Sequence, residues 1–226
     1  MLIPFAQHHR FLQITRYQLD STKPLRKNLW QKILSAKIRN QIQLLRALEL
    51  ETGRKTEEGL IAKITGLDET NVEAEAARYY WPRLFSREFK RVADDEVNKA
   101  LNYGYSILRS AIARAVVGRG LLPQLGVRHD NQLNQFNLVD DLIEPYRPFV
   151  DEKVRALFVS KEQEFDRPVR GELLAVLNRL VSIGEETMQL VNAIRNTADS
   201  YVTALKEKRA NRILLPVWSQ EPTDET

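Results

Sequence analysis

Apolar residues recur at three- and four-residue intervals through most of this chain, the spacing that lays them along one face of an α-helix. Ser21-Thr22-Lys23-Pro24 offers an N-cap and a first-turn proline, and Leu25, Leu29, Ile33, Leu44, Leu45 and Leu48 keep helical register to about Leu50. A polar loop, Glu51–Thr56, precedes a short helix over Glu57–Lys63 that ends at Gly66. Asp68–Asn71 can cap the next helix, which runs through Val72, Ala76 and Tyr80 to Leu84. Asp94 and Asp95 open another, carrying Val97, Leu101, Tyr105, Leu108 and Ile112 and closing at Gly118 and Gly120.

The pattern continues with a helix over Asp130–Tyr146, bounded by Gly126 before it and by Pro145 and Pro148 at its end. Two more follow, from about Pro168 to Ile183 and from about Glu185 to Arg212, before Leu214–Trp218. Only Met1–Gln18 is ambiguous, since Phe11–Tyr17 reads equally as extended chain or lead-in. No alternating strand, hairpin signal or internal repeat stands out. The expectation is an all-α fold: a single helical-bundle-like domain with long helices behind a short extended N-terminal lead-in. The divisions are residues 1–20 as lead-in, 21–218 as the helical domain and 219–226 as a disordered acidic tail.

Composition narrows the classes. At 226 residues the chain buries one good core without disulfides or structural metal. Zero cysteines removes disulfides, cysteine–zinc sites and thiol nucleophiles together, which is compatible with the cytoplasm. No apolar run is long enough to span a bilayer, so no membrane partner is expected. The overall charge of +4 hides an asymmetry. Residues 1–55 carry eleven Lys/Arg against three acids, and the remainder sums to −4. A basic front end and an acid-bearing remainder suit a protein that grips polyanions on one surface and holds metal on another, although solvated basic helix faces have the same composition.

Candidate chemistry centres on His129, the one histidine of three followed closely by acids: Asp140, Asp141 and Glu144. On a helix those spacings aim at least two carboxylates one way, an oxygen-rich set with one imidazole that suits Mg²⁺ or Mn²⁺. The bland alternative is a satisfied histidine beside a solvated acidic face. Glu73 shares a helix face with Ala76, Ala77 and Tyr80, so another element can approach it closely, yet first-turn acids are also favoured by the helix dipole alone. Asn98, Asn102 and Gly104 read as a packing buttress. No nucleophile elbow, zincin motif, Walker loop or Rossmann fingerprint is present.

Taken as a set, several stretches resemble a known family. They are Lys37–Gln41, Asn71-Val72-Glu73 with Ala76–Trp81, Leu101–Tyr105, Gly120–Pro123 with Leu125–His129, and Asn134 with Phe136–Leu138 and Asp141–Pro148. In this order they resemble the catalytic α-helical domain of the CRISPR-associated spacer-acquisition integrase. The resemblance implies Glu73, His129 and Glu144 as catalytic metal ligands for Mg²⁺ or Mn²⁺, with Asp141 beside them, orienting or supplementing the set. Arg128-His129 stands where the family often has two histidines. Members usually begin with a small β-rich domain, and Met1–Phe5 resembles its tail with the rest missing.

The function so implied is a metal-dependent DNA endonuclease and integrase, cytoplasmic and prokaryotic. A donor 3′-hydroxyl attacks a phosphodiester at a CRISPR repeat boundary, so the protein needs no nucleophile of its own. Partners are double-stranded DNA, both donor spacer and repeat, a small adaptation partner protein, and further copies of the chain. Lys/Arg of the helix after Pro24, with Arg78 and Arg119, are expected phosphate contacts. The rival is a non-catalytic helical DNA-binding or scaffolding module, and a third reading is a structure-blind metal nuclease at the same site.

Overall fold

The computed structural model describes residues 10–50, 54–64, 71–159 and 163–219. The Met1–Phe5 lead-in, the Asp68–Thr70 part of the expected cap, Gly66 and the acidic tail from Glu221 lie outside these. Helices dominate: α1 Phe11–Leu19, α2 Lys23–Ala47, α3 Arg54–Ala62, α4 Val72–Leu84, α5 Glu96–Gly118, α6 Asn137–Leu142, α7 Arg147–Phe158, α8 Arg167–Ala175 and α9 Leu190–Glu207. The long ones start where the sequence supplies caps. Thr22 accepts the Leu25 N–H at 3.3 Å with Pro24 in the first turn of α2, and Asp95 accepts the Asn98 N–H at 2.7 Å at the start of α5. No described helix is long and apolar enough to cross a membrane.

α7 lies between the two longest helices, packing on α2 and on α5, while α9 and α8 cover α5. The core closes around Trp30, Tyr80, Tyr146 and Phe149, none more than 1% exposed. Helix α5 approaches α7 closely at Gly104, where a Cβ would overlap Val150 Cγ1. The close packing expected there is present.

Several boundaries differ from the sequence expectation, and the short helix expected from Glu57 begins at Arg54, inside the expected loop. Phe11–Tyr17 is helical: α1 docks on α9 through buried Ile14, and the Gln18 side chain exchanges hydrogen bonds with Leu122 N–H (2.8 Å) and C=O (3.1 Å). The acid-bearing helix expected over Asp130–Tyr146 is only α6, followed by a 3₁₀ turn, Glu144–Tyr146. Pro145 and Pro148 each sit in the first positions of the next element, where a missing N–H costs nothing, so they open segments rather than end one. Residues 130–136 are turns and loop.

The last two helices are interrupted by strands. α8 passes through a 3₁₀ turn, Val176–Asn178, into a hairpin of β1 Leu180–Ile183 and β2 Glu186–Gln189, antiparallel with Val181 opposite Met188. Gly184, at φ 60°, turns the chain between them. β3, Pro216–Val217, pairs antiparallel with β1 to give the order β2-β1-β3. Val181 and Ile183 alternate into the core, but four residues are too short a period for a sequence reading to separate from helix.

Candidate active site

Glu144 sits at the start of the 3₁₀ turn, and buried Asn40 of α2 fixes that turn by donating to Pro145 C=O at 2.8 Å. The Glu144 carboxylate is almost fully buried, its side chain 6% exposed. Arg147 Nε donates to its Oε1 at 2.9 Å. Its Oε2 has no donor in hydrogen-bond geometry, although Lys37 Nζ stands 2.6 Å away as an ion pair. The same ammonium donates to Glu73 Oε1 at 2.6 Å. Lys37, one turn before Gln41 on α2, therefore bridges a carboxylate from α4 and one from the 3₁₀ turn.

Charge explains the protonation states. Burial pushes the Glu144 carboxyl up, but the Lys37 and Arg147 cations outweigh it and hold the group below its ordinary value. Burial likewise opposes the Lys37 charge, and Glu144 and Glu73 together overcome it and raise the ammonium. Glu144 and Lys37 are therefore both ionised at neutral pH.

His129 is presented by the loop after α5. Asp141, fully buried, accepts the backbone N–H of Val127 (2.5 Å), Arg128 (3.0 Å) and His129 (3.2 Å), and pairs with His129 Nδ1 at 2.7 Å. Asn137 clamps the same loop from α6, donating to Gln124 and Asn131 C=O. Gly126 is the residue that lets the loop lie this close, since a Cβ would come 2.8 Å from Asp141 Oδ2 and 3.0 Å from Asn137 Cβ. The Asp141 hydrogen bond raises the His129 pKa. It also fixes the imidazole so that Nε2 is the nitrogen left to reach a ligand.

Two cavities adjoin here. One, of about 470 Å³, is lined by His129, Asp140, Arg109 and Asn102. The other, of about 380 Å³, is lined by Lys37, Glu73, Gln41 and Trp81. Glu144, Arg147, Arg91 and Tyr105 line both, so the two form one cleft divided at Glu144. Tyr105 lies beneath both guanidinium groups, 4.5 Å from that of Arg147 and 5.3 Å from that of Arg91. Arg91 is held by Asn98 Oδ1 (3.0 Å) and Asn102 Oδ1 (2.7 Å). Beneath the cleft, Tyr80 (2.9 Å) and Tyr105 donate to the buried Asp151 carboxylate.

The structure thus brings Glu73 and Glu144 onto one cation and sets His129 in the adjoining half of the cleft. Asp141 stands behind His129 with both oxygens engaged in hydrogen bonds, a geometry that suits orientation of the imidazole. The three clustered acids do not converge: Asp140 turns to Arg109 (2.6 Å) and Asn134 (2.8 Å). Among the described residues no three His, Asp or Glu side chains already stand as a ready cation cage. Arg119 pairs with Asp199 outside the cleft, and Arg78 does not line it. Sequence reasoning missed the cleft role of Arg91. The two asparagines one turn apart, taken for packing, were the signal.

These residues fit a divalent ion on two observations. A buried carboxylate oxygen lacks a hydrogen-bond donor, and a cation already occupies the gap between two carboxylates. Carboxylate oxygens with one imidazole nitrogen form a donor set suited to Mg²⁺ or Mn²⁺.

A helical domain with a histidine–carboxylate cleft flanked by arginines has the make-up of a phosphodiester-processing protein. The chain belongs to the CRISPR associated protein Cas1 family, whose model matches residues 2–176. The CRISPR-associated endonuclease Cas1 of Neisseria meningitidis serogroup C is 36% identical over 216 residues, covering 95% of this chain and 71% of the relative. A Cas1 endonuclease of Saccharolobus solfataricus is 30% identical over 220 residues, covering 86% of this chain and 61% of its own length. The fold also matches a casposase bound to integration product, with TM-score 0.76, 22% identity and coverage of 92% of this chain and 72% of the other. A Cas1 protein from Thermotoga maritima aligns with TM-score 0.71 at 16% identity, covering 91% and 75%.

Proposed function

We propose that this chain is the helical catalytic part of a metal-dependent DNA integrase of CRISPR adaptation, joining a donor 3′-hydroxyl to a target phosphodiester and displacing the target's own 3′-oxygen. The observation that carries the reading is the Lys37 ammonium held 2.6 Å from both Glu73 and Glu144, at the division of a cleft that also contains His129. A divalent ion held by Glu73, Glu144 and His129 Nε2 would supply Lewis-acid polarisation of the phosphoryl oxygen. Asp141 keeps the imidazole proton on Nδ1 and its ring in place. Arg147 and Arg91, stacked over Tyr105, face the cleft where a phosphate would lie and neutralise its charge. Because the attacking hydroxyl comes from DNA, the lack of a protein nucleophile is no obstacle.

Related names support DNA and protein partners. One fold match is a casposase bound to integration product, and another is a Cas6-RT-Cas1–Cas2 complex (TM-score 0.75, 19% identity, 98% of this chain and 28% of that one). Double-stranded DNA, a small adaptation partner and further copies of the chain are therefore the proposed partners.

Strand transfer from a short donor duplex into plasmid tests the reading. Glu144→Gln and His129→Ala should each abolish Mn²⁺-dependent joining while circular dichroism stays at wild-type helicity. Undiminished joining in either variant, or joining that survives EDTA, refutes the site. DNA binding without any joining in wild type leaves the non-catalytic module instead, and cut but unjoined products the plain nuclease.

A further inference from the structure

A cavity of about 880 Å³ lies apart from the cleft. It lies between α2 and the segment after α9. Lys32 and Arg39 form one wall and Lys208 and Arg209 the other, with neutral donors such as Asn28 and Asn211 between them. Among the described residues no aspartate or glutamate lines it. Several surface cations outside it are neutralised: Lys99 pairs with Glu96 (2.7 Å), Lys153 with Glu172 (2.5 Å), and Arg212, beside this groove, with Glu207 (2.6 Å). Lys32, Arg39, Lys208 and Arg209 form no ion pair among the described residues. Lys208 also holds a left-handed backbone, φ 55°, at the position after α9 where glycine is the usual choice. A concave surface with four cations that have no ion pair, and no acid among its described lining residues, is complementary to a polyanion.

Helix geometry separates this surface from the cleft. At 100° per residue, Asn28, Lys32, Ser35 and Arg39 lie roughly 140–200° around the α2 axis from Lys37. Cleft and groove therefore occupy opposite faces of one helix. From Asn28 to Arg39 the wall runs about 16 Å at 1.5 Å per residue, the axial span of about five phosphates of one strand at 3.4 Å each.

We infer that this groove binds the phosphate backbone of a second DNA segment, held on the far side of α2 from the segment in the cleft. From the proposed function it takes only the identity of the polyanion as DNA. Four lost phosphate contacts lower the slope of log K against log salt by about 3.6, at 0.9 per contact.

Fluorescence anisotropy of a labelled non-reactive duplex, in EDTA from 50 to 300 mM NaCl, reads this slope without any catalysis. The variant Lys32→Ala/Arg39→Ala/Lys208→Ala/Arg209→Ala should bind at least tenfold more weakly at 100 mM salt, with the slope reduced by about three to four. Lys208→Ala/Arg209→Ala alone, confined to the exposed segment after α9, should show about half that reduction and guards against misfolding of the fourfold variant. Lys99→Ala, at a cation paired with Glu96 and lining neither groove nor cleft, should leave the slope unchanged. An unchanged slope in both groove variants overturns the inference, and so does a shift in their oligomeric state at unchanged slope, which would assign the groove to a protein neighbour. If joining fails in wild type while the groove variants still lose slope, the cleft reading falls and the groove stands. If joining is intact and the slope does not move, the reverse holds.

Discussion

Asn40 offers the sharpest test of how the fold holds the site. Its side chain is 1% exposed and makes three long-range hydrogen bonds. Nδ2 donates to Pro145 C=O at 2.8 Å and to Pro216 C=O at 3.0 Å, and Oδ1 accepts the Trp218 N–H at 3.0 Å. The first partner follows Glu144 directly, and the other two are Pro216 of the strand that closes the sheet and Trp218 just after it. Asn40→Ala orphans all three backbone groups in a buried setting, each at about 1–3 kcal/mol. Partial relaxation of the C-terminal strand toward water puts the total in the lower half, at about 3–5 kcal/mol. Against a typical domain stability of about 5–15 kcal/mol this is a large fraction. Urea unfolding followed by circular dichroism should show the midpoint lower by about 1–2 M at unchanged slope. Asn40→Asp should fare no better, since it sets a carboxylate against two carbonyls. A loss below about 1 kcal/mol in Asn40→Ala would refute the claim that one side chain pins both segments.

Two other perturbations probe the buried charges. Burial, opposed by the hydroxyl bonds of Tyr105 and Tyr80, raises the Asp151 pKa from 3.8 to about 6. Between about pH 4 and 6 the unfolded chain releases a proton that the folded one keeps, so stability is highest at the acid end and falls as pH rises, by about 3 kcal/mol in all. Asp151→Asn should remove that fall in urea titrations at pH 4 and pH 7, and an identical pH slope in variant and wild type would refute it. Lys37→Met takes away the ammonium that stands between Glu73 and Glu144. Mn²⁺ should then bind about tenfold or more tightly by calorimetry, equivalent to about 1.4 kcal/mol, and weaker binding would show that the lysine does not occupy the ion's place.

What the sequence revealed divides along physical lines. Helices with a cap and a long apolar stripe, such as α2 and α5, are legible because many residues repeat one signal. The region from His129 to Tyr146 is not, because Pro145 and Pro148 fit helix starts as well as helix ends. Asp140, Asp141 and Glu144 look alike in sequence, yet one faces an arginine, one the interior and one the cleft. The helix-face pattern leaves Glu73 open between a site residue and a first-turn acid, only the resemblance makes it a ligand, and no spacing rule joins it to Lys37 thirty-six residues earlier. The hairpin was lost because its strands are four residues each.

Helix α2 gathers the separate tasks onto one rigid rod. Lys32 and Arg39 face the groove, Lys37 faces the cleft, and Asn40 ties down the turn that carries Glu144, all within nine positions. The backbone hydrogen bonds of a continuous helix leave no hinge between Lys37 and Arg39, although the two point to opposite sides. The distance between DNA in the groove and DNA in the cleft is thereby set by the thickness of a single helix with its side chains, about 10–12 Å. That thickness is packed protein, so no straight segment passes from one surface to the other. The two surfaces must therefore hold either separate segments or one segment bent around the rod, and the closed helix, rather than any loop, sets their separation.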